Sequence, residues 1–223
     1  MLPSSLLPHW QATEPQLASL AERMGWQWSD FFTGLNEEQQ TALQTVIALS
    51  DYVADAFPRD HEHLCAAVSD GSINIQITPK TMNDWLDQLA HEASTEDEWH
   101  AALRKLRRRA MVHIIWRDAL KTARTLETTK ALSQLADLCV VRSIQFLSPL
   151  LESRHGQPVG KESGEQQHLL VIGMGKLGGW ELNLSSDIDL IFAYPDSGNT
   201  TGPKVISNQE FFIRLRQKLI QAL

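Results

Sequence analysis

Residues 171–194 read VIGMGKLGGWELNLSSDIDLIFAY, and this stretch decides the fold of the second half of the chain. An apolar run ends in a glycine-rich turn that holds one lysine, Lys176. A second apolar run follows, and two aspartates, Asp187 and Asp189, alternate with apolar residues at its start. The pattern is typical of two short strands, with a ligand-binding turn after the first and a carboxylate pair on the second.

The glycine-rich turn predicts a site for phosphate. Leu169–Ile172 is short and apolar, which predicts a buried strand before the turn. Glycines allow backbone conformations that a Cβ would forbid and let a ligand approach the main chain. Exposed amides in such a turn attract anions, and a lysine adds a positive charge. The candidate nucleotide-binding residues are Gly173, Gly175, Lys176, Gly178, Gly179 and Ser186.

The carboxylate pair predicts a metal site. Residues two apart on a strand point to the same face, so Asp187 and Asp189 are expected to project together while Ile188 and Leu190 face the core. Two carboxylates so placed repel each other unless a cation lies between them. Mg²⁺, which proteins hold with one or two carboxylates plus phosphate oxygens, is the natural partner. A solvated strand edge is the alternative interpretation.

A dinucleotide-binding turn is a second alternative, because Gly173, Gly175 and Gly178 match the pattern G-x-G-x-x-G after a strand. That fold requires a helix between two parallel strands, and such a crossover takes about 10–12 residues or more. Hardly that much chain lies between Gly178 and the next apolar run, and it contains turn formers instead of helix formers. The length argues against this alternative.

The run from Gly173 to Tyr194 resembles the signature of the glutamine synthetase adenylyltransferase/adenylyl-removing enzymes, members of the nucleotidyltransferase superfamily related to DNA polymerase β. The segment LRKLRRRAMVHIIWRDAL, at 103–120, resembles the arginine-rich helix that precedes the catalytic core in that family. Two residues depart from the family pattern. His113 stands where an arginine is expected, and Trp180 stands where a smaller or basic residue is expected.

The resemblance implies a function. In this family the N-terminal half removes AMP from a tyrosine of adenylylated glutamine synthetase, using phosphate and releasing ADP, and the C-terminal half attaches AMP from ATP. A PII signalling protein and glutamine regulate both reactions. The resemblance implies Mg²⁺ at the catalytic residues Asp187 and Asp189, and nucleotide phosphates on the glycine turn. Two other classes stay open: a transferase that modifies small molecules such as aminoglycosides, and a non-catalytic helical binding module.

The charge and cysteine content of the chain indicate which partners and which cellular compartment to expect. The 223 residues carry a net charge of −7, and the first 100 residues contain only Arg23, Arg59 and Lys80 as basic side chains. A nucleic-acid partner is not expected, because such binding needs a basic surface. Cys65 and Cys139 match no zinc or redox spacing, so a reduced, cytoplasmic setting is expected. No export-type leader or membrane-spanning run is apparent, and no membrane partner is expected.

The predicted fold class is α+β and mainly α, with a helical bundle at 1–154, an exposed linker at 155–167 and the start of a polymerase-β-like nucleotidyltransferase domain at 168–223. Helix starts are expected at Asn36, Thr81 and Ser94. Two uninterrupted helical segments, at 97–124 and 127–146, are expected to pack in an antiparallel bundle, the second ending by Pro149.

Two further features carry expectations. The segment from Asn208 to Leu223 predicts an amphipathic helix whose apolar stripe is formed by Phe211, Phe212, Leu215, Leu219 and Ile220. The resemblance implies a third metal-binding carboxylate on a later strand, and no acidic residue follows Glu210, so a truncated core with an exposed apolar helix face and self-association is expected. The basic cluster at 104–109 is expected to form a solvated, ion-paired face or to contact phosphate through one or two arginines.

Overall fold

The structure is a computed structural model that describes residues 2–223, and Met1 lies outside the described residues. Helices dominate it, and the strands are short, so the chain is α+β and mainly α as the sequence predicts. The elements are α1 (Leu7–Arg23), α2 (Trp28–Gly34), α3 (Glu37–Leu49), α4 (Asp51–Arg59), α5 (His61–Ser69), a 3₁₀ turn (Ser72–Asn74), α6 (Pro79–Leu89), α7 (Glu96–Ala119), α8 (Thr125–His155), β1 (Pro158–Gly160), β2 (Leu170–Gly173), α9 (Gly175–Gly178), β3 (Leu190–Ala193), β4 (Gly198–Thr200) and α10 (Asn208–Ala222).

The residue contacts divide the chain into two compact units. The first unit comprises the residues up to Trp85 together with Arg104–Ala131, and the second unit comprises Leu86–Leu103 together with Leu132–Leu223. The two units are defined by contacts between residues and do not by themselves define domain boundaries. The predicted domain division, with a linker at 155–167, therefore stays a prediction.

Helices of the first unit pack around aromatic and aliphatic side chains. Asn36 caps α3: its side chain accepts a hydrogen bond from the Gln39 amide at 2.9 Å, and the Gln39 side chain accepts one from the Asn36 amide at 3.0 Å. The predicted start at Asn36 is confirmed, and the other two starts differ by two residues, since α6 begins at Pro79 and α7 at Glu96. The largest fully buried side chains of this unit are Trp116, Phe57, Leu43, Ile47, Leu64, Ile73, Met82 and Leu106.

The prediction that the long helix ends by Pro149 is wrong, because α8 continues through this residue to His155. A proline inside a helix leaves one carbonyl, here that of Gln145, without its amide partner. Pro149 is exposed, so water can reach this part of the helix. Leu147 and Leu151, on either side, are buried in the core of the second unit, and their packing stabilises the continued helix.

Two antiparallel strand pairs lie in the second unit. Strand β2 pairs with β3, with Val171 opposite Phe192 and Ile172 opposite Ile191. The antiparallel pairing excludes the βαβ crossover of a dinucleotide-binding fold, as the length argument predicts. The second pair joins β1 to β4, with Val159 opposite Asn199.

The surface of the β2–β3 pair differs from the prediction of a buried strand. Val171 and Phe192 pack against the core of the second unit, whereas Leu170, Ile172 and Ile191 are each about half exposed. Side chains alternate between the faces of a strand, so only one face of the pair is covered by the described residues.

The apolar side of α10 differs from the expectation as well. Phe211, Phe212, Leu215 and Leu219 are buried against α8 and the β2–β3 pair, and only Ile220 of the predicted stripe is exposed. The expected exposed helix face is therefore wrong for most of its residues. Among residues 2–223, no helix is both long enough and apolar enough to cross a membrane.

The segment at 155–167 contains a short strand and hydrogen-bonded turns. It contains β1, and the carboxylate of Asp196 accepts hydrogen bonds from the amides of Glu162 and Ser163 at 2.9 and 3.1 Å. These backbone hydrogen bonds hold the pKa of Asp196 below its ordinary value. His155 and Gln167 at the two ends of the segment are buried. Its polar composition reflects hydrogen-bonded turns, which a sequence pattern does not separate from a linker.

Candidate functional site

The glycine-rich turn follows β2 and forms the single helical turn α9. Gly175 has a φ of 53°, a left-handed conformation that glycine adopts without steric cost. A Cβ at Gly178 would lie 2.5 Å from the Gly173 carbonyl oxygen, so a larger residue would push the turn open. Leu177 is the buried side chain of the turn, and its neighbours on both sides are exposed. The backbone of the turn is thus compact and open to solvent.

Trp180 closes the turn in an unusual conformation. Its φ is 58°, and the side chain is half exposed. The Trp180 amide donates to the Leu177 carbonyl at 3.1 Å, and the Glu181 amide donates to the Lys176 carbonyl at 2.9 Å. A non-glycine residue in this region carries a backbone cost of about 1–2 kcal/mol, which the surrounding hydrogen bonds must offset.

The structure brings Lys176 and Ser186 together across the loop that follows the turn. Lys176 Nζ donates to Ser186 Oγ at 3.2 Å, and Ser186 Oγ donates to Asn183 Oδ1. The Ser186 amide also donates to the Asn183 carbonyl at 3.2 Å. Lys176 is exposed, and among residues 2–223 its ammonium group pairs only with a neutral hydroxyl, so it can contact an anion at the turn at little cost.

The two aspartates lie just before β3 and not on it, because the strand begins at Leu190. The chain is already extended at Asp189, whose carbonyl accepts a hydrogen bond from the Met174 amide at 2.9 Å. This bond continues the β2–β3 pairing by one residue and places Asp189 beside the start of the glycine turn. Asp187 and Asp189 are both exposed, and Ile188 between them is partly buried.

The donor set of this segment fits a hard divalent cation. Within residues 2–223 neither aspartate carboxylate forms an ion pair or a side-chain hydrogen bond, so their oxygens are open to a ligand. Oxygen donors of this type suit Mg²⁺, which usually completes its shell with water and phosphate oxygens. The described residues contain no group of three His, Cys, Asp or Glu side chains that could hold a metal ion. Asp187 and Asp189 are the two exposed carboxylates of this segment that could bind a metal ion.

Sequence reasoning missed the anchor of the site loop. The amide of Leu182 donates to Ser133 Oγ on α8 at 3.2 Å. Ser133 is 1% exposed and Leu182 is 6% exposed, so both lie inside the second unit. The two residues are 49 positions apart. No local sequence pattern links the two residues. The only feature of the sequence that could have indicated this contact is a serine within a long predicted helix.

Two side chains of the basic cluster on α7 form ion pairs with one buried carboxylate. Arg109 is buried and donates to both carboxylate oxygens of Asp60, at 2.9 and 3.2 Å, and its guanidinium lies over Trp85 at 5.6 Å. Lys105 Nζ lies 3.7 Å from the same carboxylate. The ion-paired alternative is thus confirmed for these two side chains, while Arg104 and Arg107 are exposed.

A pair of histidines in the first unit was also missed. His63 Nε2 and His113 Nε2 are 3.2 Å apart, and the Trp85 ring lies beside both. Burial, together with a smaller effect of nearby charges that include Arg109, lowers the pKa of His113 to about 3 and that of His63 to about 4. His113, the residue that departs from the arginine expected by resemblance, is thus a buried neutral side chain.

Comparison with known proteins identifies the family of the chain. A family model described as glutamate-ammonia ligase adenylyltransferase matches residues 40–223. The chain belongs to this family. The match begins within α3, extends through α10 and contains the glycine turn and both aspartates.

Curated relatives extend the match to the whole chain. A bifunctional glutamine synthetase adenylyltransferase/adenylyl-removing enzyme of Pseudomonas aeruginosa is 40% identical over 223 residues, which is 100% of this chain and 23% of the relative. The enzyme of the same description from Pseudomonas syringae pv. tomato is 42% identical over 86% of this chain and 20% of the relative. That of Shewanella oneidensis is 40% identical over 96% of this chain and 22% of the relative. The chain thus spans about a fifth of the length of these family members.

Proposed function

We propose that the chain contributes the nucleotide turn and the metal-binding carboxylates of a nucleotidyltransferase that removes AMP from adenylylated glutamine synthetase. The observation that carries the proposal is the hydrogen bond from the Met174 amide to the Asp189 carbonyl, which fixes the carboxylate segment beside the glycine turn. Family membership supports glutamine synthetase as the protein substrate. Removal in preference to addition rests on the resemblance to the N-terminal half of these bifunctional enzymes.

The reaction is a phosphorolysis at the adenylyl phosphorus. An oxygen of inorganic phosphate attacks this phosphorus, the bond to the tyrosine oxygen breaks, and ADP leaves while the phenolate takes up a proton. A bound Mg²⁺ neutralises charge on the transferring group. Asp187 and Asp189 would hold the ion, since their oxygens are open to solvent. Lys176 and the amides of the glycine turn would orient the phosphates, so the contribution of the protein is positioning and electrostatics.

The regulatory partner is proposed on the resemblance alone. A PII signalling protein would bind the intact enzyme and alter the rate of AMP removal. Surface binding of PII to immobilised protein, with the ADP assay run in parallel, measures this partner separately from the chemistry.

The decisive experiment incubates adenylylated glutamine synthetase with phosphate and Mg²⁺ and measures ADP. The intact gene product, the 223-residue chain and an Asp189→Asn variant of the intact product are compared, with an Asp30→Asn variant as an exposed control in the first unit. ADP that depends on Mg²⁺ and on Asp189 supports the proposal. Undiminished ADP in the Asp189→Asn variant would remove this residue from the mechanism. A complete lack of ADP would favour the small-molecule transferase or the binding module.

A further inference from the structure

We propose that Ser133 is a positioning residue for the candidate site, holding the loop that carries Asn183, Ser186 and Asp187 through one buried hydrogen bond. This inference rests on the proposed function of that loop. Ser133 does not reach the nucleotide or the metal in this proposal. Its role is to fix the backbone at Leu182.

The loop is mostly exposed, so a single buried hydrogen bond can determine its position. Among the described residues between Gly178 and Asp189, Leu182 alone is buried. Ser186 and Ile188 are partly buried, and the other residues of the segment are exposed. An exposed loop of this kind gains little order from apolar packing. Its position therefore depends on the few places where it is held.

Besides the hydrogen bonds that join Lys176 of the glycine turn to Glu181 and Ser186, the loop is held at two points that flank the first aspartate. At one point, the Leu182 amide donates to Ser133 Oγ at 3.2 Å. At the other, the Asp189 carbonyl accepts from the Met174 amide at 2.9 Å. Asp187 lies between these points, and the hydrogen-bonded turn from Asn183 to Ser186 adjoins the first of them. Loss of the contact at Leu182 would release one side of this segment.

The chemistry of Ser133 suits this role. A serine hydroxyl can donate one hydrogen bond and accept others, so it can bind an amide from another segment of the chain. Ser133 is 1% exposed and accepts from a backbone amide 49 residues later in the chain. Removal of the hydroxyl would leave the Leu182 amide buried without its acceptor, which costs more than the loss of an average hydrogen bond. The local response is opening of the loop toward water.

Ser143 provides a matched control on the same helix. It is fully buried, and its Oγ accepts a hydrogen bond from Trp99 Nε1 at 3.2 Å. A Ser143→Ala substitution removes the same atom from the same helix and also leaves a buried donor unpaired. This bond joins α8 to α7 and does not involve the site loop.

The first measurement is amide hydrogen exchange of the intact protein, with peptides that cover 179–189. Ser133→Ala is expected to speed exchange at Leu182 about tenfold, while Ser143→Ala leaves this peptide unchanged. Ser133→Thr retains an acceptor oxygen and is expected to restore protection. Equal exchange in Ser133→Ala and the wild type would overturn the inference, whatever the protein's activity.

The second measurement is the Mg²⁺-dependent dissociation constant of ADP for the same proteins. Ser133→Ala is expected to raise it about tenfold and Ser143→Ala to leave it near the wild-type value, although both lower the melting temperature. If the two variants weaken ADP binding equally, Ser133 acts only on stability and the inference is wrong. If the wild type binds no ADP with Mg²⁺, the proposed function fails, and the exchange result still decides whether Ser133 holds the loop.

Discussion

Two charged side chains are buried and paired in the first unit, whereas those of the candidate site in the second unit are exposed. In the first unit Arg109 and Asp60 are buried and bonded through two hydrogen bonds, and Trp85 covers the guanidinium. In the second unit Asp187 and Asp189 are exposed, and no side chain within residues 2–223 pairs with them. Paired buried charges specify a structure, whereas open carboxylates on an anchored loop are available for a ligand.

Breaking the buried pair is expected to give the largest effect on folding. An Asp60→Ala substitution leaves Arg109 buried without its counter-ion, which lowers the free energy of unfolding by about 3–5 kcal/mol. Urea unfolding of the intact protein measures the change. The control is Asp55→Ala, which removes an exposed pair with Arg59 and costs about 0.3–0.5 kcal/mol. Similar losses in the two variants would contradict the contrast between buried and exposed charge.

Neutralising the open carboxylates is expected to act on chemistry and not on folding. Asp187→Asn or Asp189→Asn should lower the rate of ADP release by about 10²–10³-fold, since the variant loses a charge that stabilises the transferring group. Both side chains are exposed, so the free energy of unfolding should change by less than about 0.5 kcal/mol. Turnover and urea unfolding on the same preparation separate the effects. A large loss of stability with normal turnover would reverse the assignment.

Acid is expected to weaken the first unit through its histidine pair. The pKa values of His63 and His113 fall from an ordinary 6.5 to about 4 and about 3. Below pH 6.5 the unfolded chain therefore binds protons that the folded chain does not, and stability falls as the pH drops toward these lower values. For the deeply buried His113 alone, the loss between pH 7 and pH 5 is on the order of 2 kcal/mol.

A His113→Leu variant sharpens this pH test. It removes the more deeply buried histidine and leaves His63 partly exposed to water. The free energy of unfolding, measured by urea at each pH, should depend less on pH in the variant than in the wild type. Parallel curves for the two proteins would show that other groups cause the acid sensitivity.

Left-handed backbone residues provide the smallest effects and occur in both units. Lys121 in the first unit and Trp180 in the second have φ values of 57° and 58°. Replacing either with glycine should raise the free energy of unfolding by up to about 1 kcal/mol, because glycine adopts this conformation without strain. Gly175→Ala, at a φ of 53°, should lower it by a similar amount. Thermal unfolding detects each change, and opposite signs would contradict the backbone argument.

The parts of the molecule that local pattern determines could be predicted from the sequence. The Asn36 cap, the strand before the glycine turn and the return of the chain without a crossover follow from residue type and spacing. The continuation of α8 through Pro149 could not be predicted, because it depends on core packing of Leu147 and Leu151. The pairing of His63 with His113 joins residues 50 positions apart and left no local signal either.

The candidate site divides in the same way. The glycine turn and the two aspartates are visible in one run of sequence, and the structure brings Lys176 against Ser186 within it. The Ser133 contact depends on where a distant helix passes the loop, so only the folded chain reveals it. Sequence motifs specify the groups that would meet a ligand, and tertiary structure specifies what holds them.

The register of the β2–β3 pair determines both the packing of the core and the position of Asp189. Gly173 pairs with Leu190, and Val171 opposite Phe192 faces the core. Side chains alternate between the two faces of a strand, so a shift of the register by one residue would turn Phe192 toward solvent. The same shift would move Asp189 away from Met174. A substitution that shifts this register would therefore impair folding as well as catalysis. Natural selection for a stable fold would remove it even where catalysis is not under selection.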